Sequence, residues 1–281
     1  MKVAGHLRAG PNKTNRRTES LCTALSDYGL EVVYSERGVP VHDADLVVQT
    51  GFARSEALLD AIEREVPYII MEASPFRTLD INEYSSWGYN GLAGGAWRPD
   101  PPSEERWKPE LKPIHDGDTL IIGQKPTDHS LRGSDHVKWL LERFEEYPQG
   151  RFRPHPLMVA PDSLIDLESD LASAGLVVTY TSTAGVDARI AGCRVRVDGR
   201  GSFAGNGDGD REEWLHRLSW YQAKHEDYKE LIPYILSGYD EALARAENGD
   251  QEIPRGRVDG PAICQRYYSA IRDWEENTQA G

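Results

Sequence analysis

Cysteine is scarce and scattered in this chain. Cys22, Cys193 and Cys264 are widely spaced and odd in number, which argues against a disulfide framework and a cysteine-built zinc site. Long apolar runs are missing as well: none approaches the roughly 20 residues of a membrane span. The opening Met1-Lys2-Val3-Ala4-Gly5-His6 is too polar for a signal peptide. No membrane partner is therefore expected, and a reducing, cytoplasmic setting fits. Positive charge is in deficit. The net charge of −14 opposes a general nucleic-acid surface, because neutralising phosphates needs a positive face, although a local basic patch stays open. The Gly-x-x-x-x-Gly-Lys-Ser/Thr pattern of a P-loop is absent, and no repeat or low-complexity tract competes with a globular reading.

What is present is an ordinary globular composition, 39% hydrophobic and 28% charged over 281 residues, enough for one large or two moderate domains. Strands alternate with helices. Val3–Leu7, Glu31–Tyr34, Asp45–Thr50 and Pro67–Glu72 read as strands, with helices over Glu19–Tyr28 (capped by Thr18) and Ser55–Glu65. Continuously apolar strands between helices are the pattern of a doubly wound parallel sheet. Residues 73–113 break it with a glycine and aromatic loop, Ser85 to Trp97, and then prolines, which reads as a domain boundary. A second α/β series starts at Asp118-Thr119-Leu120-Ile121-Ile122-Gly123, with helices over Asp135–Tyr147 and from near Ser163 to Ala174. Two amphipathic stretches close the chain: Arg211 to Lys224, running on towards Gly249, and Pro261 to Glu276. The expected fold is α/β, two Rossmann-like domains facing a cleft, with C-terminal helices. The expected bounds are 1–113, 114–235 and 236–281.

Open α/β sheets bind ligands beyond the carboxyl ends of their strands, and the polar loops expected at those ends carry the chemistry. In the second half, Gly175–Tyr180 leads into Thr181-Ser182-Thr183-Ala184-Gly185 and then a short helix carrying Asp187 and stopping at Gly192. Backbone N–H groups and hydroxyls at such a turn suit a phosphate, and Asp187 suits a ribose. A plain turn capped by Ser182 or Thr183 accounts for the same residues. Arg153-Pro154-His155-Pro156 places a proline-braced histidine and a guanidinium at another strand end, both able to meet a diphosphate. Lys125, in Gln124-Lys125-Pro126-Thr127-Asp128-His129-Ser130, could meet phosphate too, while Asp128 or Ser130 could cap a helix. In the first half Glu72 ends a strand and is the candidate general base. Gly10, Asn12 and Arg16, in the first strand–helix loop, and Arg77 are the candidate acceptor-side residues. Asp43 and Asp45 precede a strand and so belong at the opposite edge.

The run Ser182-Thr183-Ala184-Gly185-Val186-Asp187-Ala188-Arg189-Ile190-Ala191-Gly192-Cys193-Arg194-Val195 resembles the C-terminal-domain signature of GT-B glycosyltransferases, Ser/Thr-Gly followed by Glu-Ala-x-x-x-Gly-x-Pro-Val. Asp187 stands for the usual Glu and Arg194 for the usual Pro. Arg153-Pro154-His155-Pro156 resembles the Arg-x-His-Pro element of capsule-polysaccharide-type and related phage glycosyltransferases. Arg211-Glu212-Glu213-Trp214-Leu215 with Gln222 resembles a segment of small phage glycosyltransferases. The resemblance implies a nucleotide-sugar donor held by Lys125, Arg153, His155, Thr181, Ser182, Thr183, Gly185 and Asp187. It also implies Glu72 as base and no metal or other cofactor. A likeness to phage enzymes that decorate DNA implies a hydroxymethylated pyrimidine acceptor, in a host cytoplasm, with DNA met through a local basic patch. A surface glycan or small-molecule acceptor, or a non-catalytic nucleotide-binding module, stays open. The sugar, the stereochemical outcome and the oligomeric state do not follow from these residues.

Overall fold

The computed structural model describes residues 1–80, 82–159, 166–205, 210–255 and 260–279. In chain order, β1 (Lys2–Leu7), α1 (Asn15–Asp27), β2 (Glu31–Glu36), β3 (Leu46–Thr50), α2 (Glu56–Glu63), β4 (Tyr68–Ala73) and β5 (Tyr84–Ser86) come first. Then follow β6 (Asp118–Ile122), α3 (His136–Glu146), β7 (Arg151–Arg153), α4 (Leu167–Ser173), β8 (Ala174–Thr179), α5 (Ala184–Ala191) and β9 (Arg194–Val197). The last group is α6 (Arg211–Trp220), β10 (Gln222–Lys224), α7 (Tyr228–Ser237), α8 (Tyr239–Glu247) and α9 (Gly260–Gln279). These fall into two compact units. Unit 1 takes Met1–Lys108 and Glu212–Pro254, and unit 2 takes Pro109–Arg211 and the chain from Arg255 onward.

Both units are α/β. The unit 1 sheet has the order β10-β5-β4-β3-β1-β2, with β1 to β4 parallel and β5 and β10 antiparallel at one edge. Helices cover both faces. Leu21, Cys22 and Leu25 of α1 and Leu231, Ile232 and Ile235 of α7 pack with Val3, Leu46 and Val48. Leu58 and Ala61 of α2 pack with Ala4, Val47 and Ile70. The unit 2 sheet, β7-β6-β8-β9, is parallel throughout. Val137, Leu140 and Phe144 of α3 and Ile263, Tyr267 and Ile271 of α9 cover Ile121 and Val178.

The expected domain bounds need correction. Residues 85–97 are not a linker: β5 lies in the sheet, and Trp87 and Tyr89 are fully buried in the unit 1 core. The chain leaves unit 1 only after Lys108. Residues 212–235, expected with the donor half, return to unit 1, because Tyr228, Leu231 and Ile232 complete its core. The stretch towards Gly249 is interrupted where Gln222 and Ala223 pair with Ser86 and Ser85 as β10. The segment from residue 255 goes back to unit 2, where α9 packs on α3. Helix α1 starts earlier than Thr18. Asn12 Oδ1 accepts both the N–H and the hydroxyl of Thr14 and turns the chain into the helix, while Thr18 lies buried against the Thr50 hydroxyl, 3.0 Å away. The expected α4 start at Ser163 lies outside the described residues. Gly192 ends α5 as anticipated, with φ of +94°; Ser55 and Asp135, expected as first residues of helices, instead cap α2 and α3. Among the described residues no helix is long and apolar enough to cross a membrane.

The reassignment of α7 is testable by truncating Leu231, which is fully buried. Leu231→Ala should cost about 2–5 kcal/mol and lower amide-exchange protection in β1 and β3 while leaving β6 and β8 unchanged. Loss confined to β6 and β8 would refute it.

Candidate functional site

In unit 2, register decides which loops meet. Ile122 of β6 pairs with Arg153 of β7 on one side and Thr179 of β8 on the other. The segments that follow these three residues therefore start on one edge of the sheet, in strands about 4.8 Å apart. The chain runs from β6 to β7 in one direction and to β8 in the other, so this edge is a topological switch point, the usual ligand position of an open parallel sheet.

Gln124 bridges the switch point. Its Oε1 accepts the backbone N–H of Thr181 at 2.6 Å, and its Nε2 donates to the Thr181 hydroxyl at 3.0 Å and the Ser130 hydroxyl at 3.1 Å. The Gln124 N–H donates to His136 Nε2 at 2.9 Å, and the His136 ring stacks between Trp139 and Tyr267. Burial, only partly offset by Asp128 and Asp135, pulls His136 down to about 4. A neutral ring is what an acceptor nitrogen requires.

The hydroxyl turn before α5 divides its groups. Thr181 is committed to Gln124. Ser182 Oγ accepts the Ala184 N–H at 3.2 Å, and Ser182 O accepts the Gly185 N–H at 3.0 Å. Gly185 acts in packing: a methyl group there would lie 3.0 Å from Ala204 Cβ and 3.2 Å from Thr179 Cγ2. Among the described residues, the N–H and hydroxyl of Thr183, at the mouth of the helix, have no protein partner. Asp187 is half-buried one turn further on. The loop after β9 closes against this turn. Gly199 donates its N–H to Tyr180 O at 2.8 Å, and any Cβ on it would strike Thr181 Cγ2 at 2.5 Å. Ser202, Phe203 and Ala204 are buried, and Arg189 donates to Ala204 O. The glycine-rich stretch from Gly199 is thus packed structure as far as Gly205, and 206–209 lie outside the described residues.

Of the residues after β7, Arg153 is mostly buried in an ion pair with Asp170, which also receives Arg151 at 2.7 Å. That pairing anchors the strand end. His155 Nδ1 accepts the Leu157 N–H at 3.1 Å, so a neutral ring carries its proton on Nε2. Lys125 is half-buried, with no acidic partner among the described residues; Asp128 in the same loop caps the next turn by accepting the Ser130 N–H. Arg211 donates to Arg189 O and Lys112 O and so holds the chain at the end of unit 2.

Unit 1 gathers a second set at the same kind of edge. Leu7 pairs with Glu36, so Arg8 and Arg37 follow paired residues. Gly51 donates its N–H to Met71 O at 2.8 Å, which sets Gly51 beside Glu72. A methyl group on Gly51 would lie 3.4 Å from an Arg8 Nη and 3.8 Å from Glu72 Oε1. Arg17, in the first turn of α1, and Arg37 both feel the Glu72 charge. Met71 and Phe76, apolar neighbours of Glu72 in sequence, are buried in the core. Gly10 takes φ of +72° in the β1–α1 loop, and Asn12 is committed to its turn. Arg16 lies exposed in α1 rather than in the loop, and Arg77 is exposed after β4. Arg98 is no part of a phosphate-binding strip: it donates to three backbone carbonyls, of Trp87, Ala96 and Ala93. Asp43 and Asp45 bind Lys2 at the opposite edge, as expected. The sequence pattern does not single out Gln124 or Arg37, although Gln124 lies in the loop noted for its position after β6.

No protein-family model matches this chain, and no curated protein matches it. Among solved structures, the beta Kdo 2,4 transferase KpsC of Thermosulfurimonas dismutans aligns over 80% of this chain and 92% of its own, at 15% identity and a TM-score of 0.49. The beta Kdo 2,7 transferase KpsC of the same organism aligns over 82% and 97%, at 12% identity and a TM-score of 0.46. Neither likeness is close enough to assign a family.

His136 gives unit 2 a pH signature. Its folded pKa, about 4, lies below the ordinary 6.5, so the unfolded chain takes up the proton first. The stabilisation is complete above pH 6.5 and is lost as pH falls towards 4, on the order of 3 kcal/mol. His136→Phe should flatten that part of the slope, measured by denaturant titration of β6 and β8 exchange. An unchanged slope would show that His136 is not buried neutral.

Proposed function

We propose that the chain is a nucleotide-sugar-dependent glycosyltransferase, with unit 2 as donor site. The observation that supports this reading is that the segments carrying Lys125, His155 and Thr183 all follow strand ends paired on one switch-point edge. These are the groups a diphosphate needs: a cation, an oriented neutral donor and a helix N-terminus. Asp187, within α5, is the proposed ribose acceptor. Arg153, Thr181, Ser182 and Gly185 shape and hold the two loops.

In the transfer step an acceptor hydroxyl oxygen bonds to the anomeric carbon, and its proton passes to Glu72. The bond from the anomeric carbon to the diphosphate oxygen breaks, and the nucleoside diphosphate leaves with the electron pair. Lys125, His155 and the α5 N-terminus stabilise the charge that develops there, in this reading without a metal. For the acceptor, the guanidinium groups of unit 1 favour an anion. A hydroxymethylated pyrimidine in DNA meets that condition through one local phosphate, while the net charge of −14 opposes a long phosphate track.

A thermal-shift screen of nucleoside diphosphates and nucleotide sugars tests the donor site, since a ligand of the folded state raises its stability. His155→Ala and Asp187→Asn should each abolish the shift; a full shift in both would overturn the assignment. Glu72→Gln should lower single-turnover transfer about 10²–10⁴-fold at unchanged donor affinity. Donor binding with no transfer by the wild type would instead favour a binding module.

A further inference from the structure

The strand ends of unit 1 hold more positive charge than the transfer step requires. Arg8 and Arg37 leave β1 and β2 at paired positions. Arg17 joins them from the first turn of α1, which contains no acidic residue. That is the wrong end of a helix for a cation, because the backbone N–H groups there are already positive. The carboxylate these guanidiniums share is Glu72.

Nothing in the fold requires this crowding. Burial, and then the Arg8 charge, pulls Arg37 down to about 10, with Glu72 acting the other way. The Arg37 Nε is buried with no hydrogen-bond partner among the described residues, a cost that a native structure usually avoids. Arg8 is exposed, and its backbone is locked by reciprocal bonds with the Asn15 side chain, 2.9 Å each. His225 faces the same helix start. It is 8% exposed, neither ring nitrogen has a hydrogen-bond partner, and burial with Arg16 and Arg17 lowers it to about 4. Arg16, on the outer side, is already balanced by Asp80 and Glu226.

We infer that Arg8, Arg17 and Arg37 form a phosphate-binding site in unit 1, which takes a terminal phosphate monoester carried by the acceptor. Among the described residues three guanidinium groups gather near one carboxylate; such a cluster suits a dianion, and a phosphate monoester carries about −1.5 to −2 at neutral pH. A phosphodiester or a carboxylate supplies only half of that. Arginine forks suit the tetrahedral oxygens. Glu72, beside Arg8 over Gly51, is then placed to receive a proton from a hydroxyl near that phosphate. The acceptor role rests on the transferase reading; the phosphate site does not.

The test is inorganic phosphate titrated into the full-length protein at constant ionic strength, followed by thermal shift, with acetate as control. Wild type should show a saturable rise with phosphate and none with acetate. Arg8→Gln and Arg37→Gln should each raise the half-saturating concentration at least about tenfold, the loss of one charge-assisted contact. Arg8 is exposed, so Arg8→Gln decides the matter even where Arg37→Gln fails to fold. Arg245→Gln, which removes a guanidinium already paired with Glu241 and Asp250, should leave the response intact. Equal responses in wild type and both arginine variants, or loss in Arg245→Gln instead, would overturn the inference, as would an equal response to acetate. Nucleoside diphosphates run alongside keep the two readings apart. Phosphate binding without any nucleotide binding refutes the donor site and leaves this site standing; nucleotide binding without a phosphate response refutes this one.

Discussion

Parallel pairing constrains everything chemical in this protein. In a parallel ladder all carboxyl ends fall on one edge, so residues far apart in sequence collect there without any local motif joining them. The pairing of Leu7 with Glu36 brings Arg8 beside Arg37; the pairing of Ile122 with Arg153 and Thr179 brings Lys125, His155 and Thr183 to a single edge. A slip of one residue would turn each strand over. The central strand β3 resists it most, because every residue from Leu46 to Thr50 is buried.

The two edges treat charge in opposite ways. In unit 2 the arginines next to the loops are neutralised below them, Arg153 and Arg151 by Asp170 and Arg151 again by Asp118. Removing one partner of so buried a pair would strand the other charge, so these arginines act as anchors. In unit 1 the guanidiniums are gathered around a carboxylate too few to balance them. Neutralised cations stiffen an edge, whereas an excess of them sets up a field that favours an anion.

Much of this was legible in the sequence, for identifiable reasons. The parallel strands announce themselves as continuous apolar runs, and Ser55, Asp135 and Gly192 mark helix ends through side-chain and backbone chemistry that acts locally. Lys125 and His155 stand out as polar residues just past such strands. What was not legible depends on partners. Gln222-Ala223-Lys224 has no strand pattern of its own and becomes β10 because Ser85 and Ser86 present an open edge. The helical period of residues 228–247 reveals an apolar face but not which core it completes, and so the return to unit 1 was missed. Arg37 looks like any residue after a strand until the register places it beside Arg8. Gln124 is an uncharged amide, and its bridge to Thr181 exists only across 57 positions of chain.

That bridge alters how the hydroxyl turn should be understood. Three hydroxyls in a row suggest three ligands for a phosphate, yet most of the turn's bonding capacity is used in building it. Thr181 is fixed from the side by Gln124, and Ser182 closes the turn on Ala184. Gly185 lets the helix approach Thr179 and Ala204 closely enough for the sheet, the helix and the covering loop to pack. The open N–H and hydroxyl of Thr183 are the product of that construction. A cradle needs donors that are both free and held still, and a turn without internal bonds would supply the first property without the second. In this turn the groups left over are few because their neighbours are occupied in positioning them.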